Sequence, residues 1–231
     1  MFWKKKTSGV TATEETCAHA LFVVLAKGLQ KNGRIRAEDL ITSAASITAE
    51  LCIEAAGDFN PRKHQFIPGS RVFSTKVNEL FSGDTDDIEI IPAASVVGTL
   101  RDRLLQAEYC KSDFPPLGEI FKRFAASVGS SSDWGKVPWS VPEENKPFVL
   151  PLRVAYATRS TVDQAFQSFA TPQQKLRASV LTLAEALIAV QRTIDKKVAL
   201  LLALETVNGM AKTAPMTDEA MNSLKKKGSE Q

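Results

Sequence analysis

The stretch TPQQKLRASVLTLAEALIAVQRTIDKKVALLLALETVNG, residues 171–209, carries the strongest structural signal in the sequence. Thr171 is a helix N-cap, Pro172 suits the first helical position, and Gln174 completes a capping box. Apolar residues then recur at steps of four and three, as in the seam of a coiled coil. These seam residues are Leu176, Val180, Leu183, Leu187, Val190 and Ile194. The pattern predicts one long C-terminal helix over residues 171–208.

A helix of this length has a consequence for assembly. Its ~37 residues span roughly 55 Å at 1.5 Å per residue, whereas a compact domain of this size is about 35–40 Å across. Two four-residue steps meet at Ile194, where the seam drifts before continuing at Val198 and Leu201. The helix therefore has to kink, protrude or be covered by a partner, and we expect a partner, most simply a second copy of the chain.

The rest of the sequence predicts a mainly α protein, an irregular multi-helix bundle. A second apolar stripe indicates another core helix and consists of Leu40, Ala44, Ile47, Leu51 and Ala55. Thr11 resembles an N-cap, and Gly57 and Gly83 resemble helix stops. The predicted organisation is a flexible basic arm (1–10), one helical domain (11–209) and a polar tail (210–231). Before its long helix, the helical domain contains a helical hairpin (11–57), middle helices (70–128) and a loop (129–147).

The segment FVLPLRVAY at residues 148–156 fits two structures. Every second residue from Phe148 to Tyr156 is apolar or aromatic, which is the period of a β-strand. Such a strand would pair with Ile88–Ile91 as a minor two-stranded β element. Alternatively, a helix begins at Pro151, because proline is favoured at the first helical position.

Charge and cysteine content exclude several classes of protein. The 29 Lys and Arg residues balance 26 Asp and Glu residues, which is too even to indicate a nucleic acid or an anionic membrane as partner. No apolar run is long enough to span a bilayer, and MFWKKK lacks the order of a secretion signal. The three cysteines are widely spaced, which favours a reducing, cytoplasmic location.

Residues 58–84 form the best candidate for a ligand site. Basic side chains stand here close to the expected start of a helix, where free amide groups favour anions, and a histidine titrates near neutral pH. The candidate residues are Arg62, Lys63, His64, Ser70 (as the helix cap), Asn78 and Glu79. The alternative interpretation is a solvated connection between helices.

Other candidate residues indicate little chemistry. The sequence has no nucleotide-binding, zinc or serine-hydrolase motif, so we predict neither cofactor nor metal. Four residues with helical spacing resemble a carboxylate metal site: Glu15, His19, Glu50 and Glu54. We interpret them as charges on helix surfaces, with His19 half-buried. Trp134 and Trp139 in the 129–147 loop either anchor a partner or fold back on the core.

Three functions are compatible with these patterns. The seam favours a non-enzymatic helical protein-interaction or regulatory module that forms a homo-oligomer. A second hypothesis is a small-ligand-binding protein or enzyme with a pocket around residues 58–84. A third is a nucleic-acid-binding regulator that uses Arg153, Arg159, Lys175 and Arg177, which the balanced charge disfavours.

Overall fold

The protein is a mainly helical multi-helix bundle, as predicted. A computed structural model describes residues 11–128 and 135–229, and this part of the chain holds nine α-helices. The helices are α1 (Ala12–Leu29), α2 (Ala37–Ala56), α3 (Thr75–Ser82), α4 (Val96–Leu104), α5 (Leu117–Ala126), α6 (Pro151–Ala165), α7 (Pro172–Val190), α8 (Lys196–Met210) and α9 (Asp218–Ser229). Short 3-10 turns lie at Lys111–Asp113 and Glu143–Asn145. The predicted arm at 1–10 and the residues 129–134 of the predicted loop lie outside the described residues.

Local capping signals position the helix ends. The Thr11 hydroxyl accepts from the Glu14 amide at 3.2 Å, and the Glu14 carboxylate accepts from the Thr11 amide at 2.7 Å. Thr171 and Gln174 form the same reciprocal pair at the start of α7. Gly57 ends α2 in the left-handed conformation, with φ of 71°. Each of these signals is satisfied within one turn of backbone, so the prediction of these ends is confirmed.

Helix α2 forms the centre of the bundle. It packs against α7, α8 and α6, and less extensively against α1 and α3. Nearly all of its side chains are buried, including small polar ones such as Ser46 and Thr48. Their hydroxyls donate to carbonyl groups one turn earlier, and Thr48 also approaches the Ser179 carbonyl of α7 at 3.2 Å. Small, internally satisfied side chains thus let helices approach α2 from several directions, whereas the sequence indicated a single apolar stripe.

The predicted long helix over 171–208 is wrong, because the chain breaks between α7 and α8. The turn after Val190 is closed by the Thr193 amide, which donates to the Val190 carbonyl at 2.8 Å. Asp195 then caps α8, accepting from the amides of Lys197 at 2.9 Å and Val198 at 3.2 Å. An Asp side chain that satisfies two amides at a new helix start competes with continuation of the old helix.

The broken helix leaves its apolar seam inside the bundle. The seam residues Leu176, Val180, Leu183, Leu187, Val190 and Ile194 are all buried, and none exceeds 9% exposure. Helix α7 contacts α1, α2 and α4, and α8 contacts α2 and α5. The seam therefore packs against other helices of the same chain, and it does not supply the coiled-coil interface expected from the sequence.

The segment 148–156 adopts the helical alternative. Helix α6 begins at Pro151, and residues 88–90 form a turn, so the expected strand pairing between these segments is not formed. Backbone pairing occurs elsewhere, between residues 69–72 and 212–214, where Val72 donates to Lys212 at 2.9 Å and Gly69 to Ala214 at 2.8 Å. It amounts to one isolated bridge, Arg71 with Thr213, so the minor β element is not confirmed.

The predicted polar tail starts too early. Residues 211–215 are buried, with Ala214 wholly enclosed, because the pairing with residues 69–72 holds this segment against the bundle. Thr217 then accepts from the Ala220 amide at 3.2 Å and caps α9. No helix in the described ranges 11–128 and 135–229 is long and apolar enough to cross a membrane.

Candidate functional site

The loop after α2 holds Arg62 against helix α6. Two guanidinium nitrogens of Arg62 donate to the two carboxylate oxygens of Asp163, at 2.7 and 2.6 Å. This paired geometry matches a planar guanidinium to a planar carboxylate. The bond raises the pKa of Arg62 and lowers that of Asp163, so both groups stay charged over the physiological range.

His64 faces a different part of the molecule. Its Nε2 lies 3.1 Å from the Pro215 carbonyl oxygen, so this nitrogen carries the proton that it donates. The ring also contacts Phe59 edge-on, with centroids 5.4 Å apart. Burial lowers the pKa of His64, and the bond to the Pro215 carbonyl offsets part of that shift. The imidazole therefore fastens the loop to the segment after α8.

The other candidate residues of segment 58–84 do not meet Arg62. Lys63 is exposed, and its amide closes a turn to Asn60. The cap of α3 is Ser74, which accepts from the Val77 amide at 3.1 Å, so the assignment of this role to Ser70 is wrong. A proline-containing turn leaves Ser70 in the pairing with residues 212–214.

Helix α3 carries the last two candidates away from the loop. Asn78 is half-buried and Glu79 is exposed. Glu79 borders a separate hollow of about 290 Å³, together with Lys76 and Leu80 of α3 and Pro92. The structure thus brings Arg62 into one cleft and leaves His64, Asn78 and Glu79 outside it.

Arg62 lines an open cleft of about 450 Å³ that we call the charged cleft. Its lining consists of Glu54, Gly57, Phe59, Asn60, Pro61, Arg62, Asp163 and Lys175. A second ion pair crosses it, since the Lys175 ammonium lies 3.1 Å from a Glu54 oxygen. Asp163 also interacts electrostatically with Lys175, and Arg62 with Glu54. Two cations and two anions therefore share one small, partly exposed site.

A buried ion pair supports the charged cleft from behind. Arg159 of α6 donates to both carboxylate oxygens of Glu50 in α2, at 2.6 and 3.1 Å. It also reaches the Pro61 carbonyl at 3.3 Å and so fixes the loop that carries Arg62. Burial raises the pKa of Glu50, although the hydrogen bond from Arg159 opposes this shift. Removing either partner would leave a charge in a nearly dry site.

Sequence reasoning missed that these charges belong together. Glu50 and Glu54 are one turn apart on α2, and Arg159 and Asp163 are one turn apart on α6, so each helix directs two charges to one side. This shared spacing was the available signal. The expectation of a surface charge is wrong for Glu50, which is only 9% exposed, and the expected half-burial of His19 is wrong, since His19 is exposed.

The four residues that resembled a metal site are separated by their partners. Glu15 pairs with Arg103, His19 with Glu185, Glu50 with Arg159 and Glu54 with Lys175. Within the described part of the chain, no group of three or more His, Cys, Asp or Glu side chains is placed to hold a metal ion.

Lys212 lies in the core just after the end of α8. The Lys212 ammonium donates to the Asn208 side chain at 2.7 Å and lies over the rings of Phe121 and Phe124, at 5.0 and 5.5 Å. Burial lowers its pKa to about 8 and raises that of the Cys52 thiol to about 12. A partly neutral lysine is a nucleophile where substrate reaches it, but Lys212 is only 7% exposed.

Of the two candidate aromatic anchors, only Trp139 can be described. Its indole nitrogen donates to the Thr206 hydroxyl of α8 at 3.0 Å, and the ring packs against the core. The fold-back alternative is thus the one that Trp139 adopts. Trp134 lies outside the described residues.

Two highly exposed apolar side chains lie just before the start of α6. Phe148 is 82% exposed and Leu150 is 66% exposed. We call Phe148, the Arg36 side chain that stacks on it, and Leu150 two residues further on the Phe148 surface. Asp39 holds the segment in place by accepting from the amides of Phe148 at 2.7 Å and Val149 at 3.2 Å.

Arg36, at the start of α2, contacts the segment before α6 in two places. Its guanidinium carbon lies 3.8 Å from the centre of the Phe148 ring. The same group donates to the Glu144 carbonyl at 2.6 Å and pairs with Glu38 at 3.2 Å. Arg36 thus covers one face of the Phe148 ring, and the rest of the ring stays in water. Neither a known family model, nor a curated protein, nor a solved structure matches this chain.

Proposed function

We propose that the protein is a non-enzymatic helical interaction module that pairs with a second copy of itself through the Phe148 surface. The observation that carries the proposal is the exposure of Phe148 and Leu150 on a segment fixed by Asp39. A backbone segment that is already ordered loses little entropy on binding, and aromatic residues with Arg are typical anchors of interfaces.

The charges around the Phe148 surface favour an identical partner. Both basic residues (Arg36, Lys146, Arg153) and acidic residues (Asp39, Glu143, Glu144) occur in the two segments that carry the Phe148 surface, and Lys146 pairs with Glu143. In a twofold dimer the same surface faces itself, so a rim of one sign would repel its copy. A mixed rim lets the acidic residues of one protomer face the basic residues of the other.

The interaction is tested by removing the exposed apolar side chains. We expect the wild-type protein to sediment as a dimer at rising concentration and the variant Phe148→Ser/Leu150→Ser to remain monomeric with an unchanged circular dichroism spectrum. Ile90→Ser is the matched control, because Ile90 is 69% exposed in a turn away from this segment. A wild-type protein that stays monomeric throughout, or a double variant that still dimerises, would refute the proposal.

A further inference from the structure

The charged cleft carries both signs of charge, and each cation in it is paired with an anion of the same cleft. Arg62 is held by Asp163, and the loop beneath it is pinned by the buried pair of Arg159 and Glu50. Lys175 enters from the first turn of α7, and Glu54 from the last turn of α2. These four charged side chains (Glu54, Arg62, Asp163, Lys175) therefore come from four elements that the fold brings together: α2, the loop after it, α6 and α7.

The electrostatics of the charged cleft discriminate between classes of ligand. A simple anion would meet Arg62 and Lys175 but would be repelled by Asp163 and Glu54, and a simple cation would meet the reverse problem. A ligand with both an ammonium and a carboxylate satisfies all four groups. The four side chains are between 25% and 46% exposed, so a ligand in solvent can reach all of them. The single Lys175–Glu54 contact at 3.1 Å contributes little net stability at this exposure and exchanges partners at small cost.

We infer that the charged cleft binds a small zwitterion, namely a free α-amino acid. Its carboxylate lies between Arg62 and Lys175, and its ammonium lies between Asp163 and Glu54. The ring of Phe59 and the side chain of Pro61 provide the apolar part of the lining, against which the ligand side chain packs. The volume of about 450 Å³ lies in the usual range for small-molecule sites. This site is independent of the Phe148 surface.

The test compares ligands that differ in one charge. Calorimetric titration with leucine is expected to give saturable binding to the full-length protein. Leucinamide, which lacks the carboxylate, and Nα-acetyl-leucine, which lacks the ammonium, are each expected to bind at least about tenfold more weakly, because each loses charge-assisted hydrogen bonds. Inorganic phosphate tests for a plain anion site.

Matched variants identify the site. Arg62→Gln/Asp163→Asn removes one ion pair without changing net charge, and Lys175→Gln/Glu54→Gln removes the other. Each is expected to weaken leucine binding at least about tenfold, whereas Lys122→Gln/Glu119→Gln, which removes an exposed ion pair on α5, is expected to have no effect. Circular dichroism confirms that each variant is folded.

Three results would overturn the inference. The first is that neither glycine nor leucine binds at millimolar concentration. The second is that phosphate or Nα-acetyl-leucine binds as tightly as leucine. The third is that both cleft variants retain wild-type affinity for leucine. If leucine binds to the monomeric Phe148→Ser/Leu150→Ser variant as it does to wild type, the ligand site stands even where the dimer does not.

Discussion

Replacing Arg159 with Ala is expected to lower the free energy of unfolding by about 3–5 kcal/mol at neutral pH, because it leaves the Glu50 carboxylate buried without a counter-charge. Glu50 and Arg159 are each 9% exposed, so little water can replace the lost guanidinium. The substitution also frees the Pro61 carbonyl. Urea unfolding followed by circular dichroism measures the loss.

The loss should depend on pH in a defined direction. Burial raises the folded-state pKa of Glu50 above its ordinary value of 4.5, so its contribution to stability is fully present below pH 4.5 and is lost as pH rises through the folded pKa. Removing Arg159 takes away the bond that opposes this shift, so the folded pKa rises further. We therefore expect the difference in free energy of unfolding between wild type and Arg159→Ala to be smallest near pH 4 and to grow towards pH 7.5.

Two further variants distinguish the effect of burying an unpaired charge from the effect of losing the packing of Arg159. Glu50→Met/Arg159→Met leaves no unpaired charge and should recover most of the stability. Lys122→Ala breaks the exposed pair with Glu119 and should leave the unfolding midpoint unchanged. If Arg159→Ala loses the same stability at pH 4 and pH 7.5, the Glu50 carboxylate is not the cause.

The second large effect is expected at the apolar seam of α7. Leu183→Ala should lower the free energy of unfolding by about 3–5 kcal/mol, because it leaves a cavity where a side chain with no solvent exposure is packed. The same substitution should not alter sedimentation behaviour, because Leu183 packs within its own protomer. Leu105→Ala, at a side chain that is 38% exposed, is the control and should cost clearly less. A dimer that dissociates without loss of protomer stability would instead place Leu183 at a contact between copies.

Features determined by short-range contacts could be predicted from the sequence. The capping boxes at Thr11 and Thr171 and the left-handed glycine at Gly57 each depend on residues within about one turn. The apolar seam was also recognised, and every member is buried. What periodicity alone could not decide is whether another chain or this chain covers it, because both bury the same side chains.

The missed features depend on competition or on distance. Around Asp195 the heptad pattern favours one continuous helix, whereas the capping side chain favours a new helix start. The chain forms two helices because α7 and α8 each pack against the bundle in this arrangement. Ser43, Ser46 and Thr48 resemble a polar face but bond to carbonyls four residues earlier, so they can be buried at little cost. Arg62 and Asp163 are 101 residues apart, and no local pattern relates them.

The central position of α2 has a consequence for how the chain is made. Thr48 and the Ser179 carbonyl that it approaches are 131 residues apart, so during synthesis α2 leaves the ribosome long before the helices that enclose it. We hypothesise that the emerging chain stays without a cooperative core until α7 and α8 are complete, and that chaperones shield it meanwhile. A chain truncated after Ala170 should then unfold in urea without a sigmoidal transition, and a sharp transition in that fragment would rule the idea out.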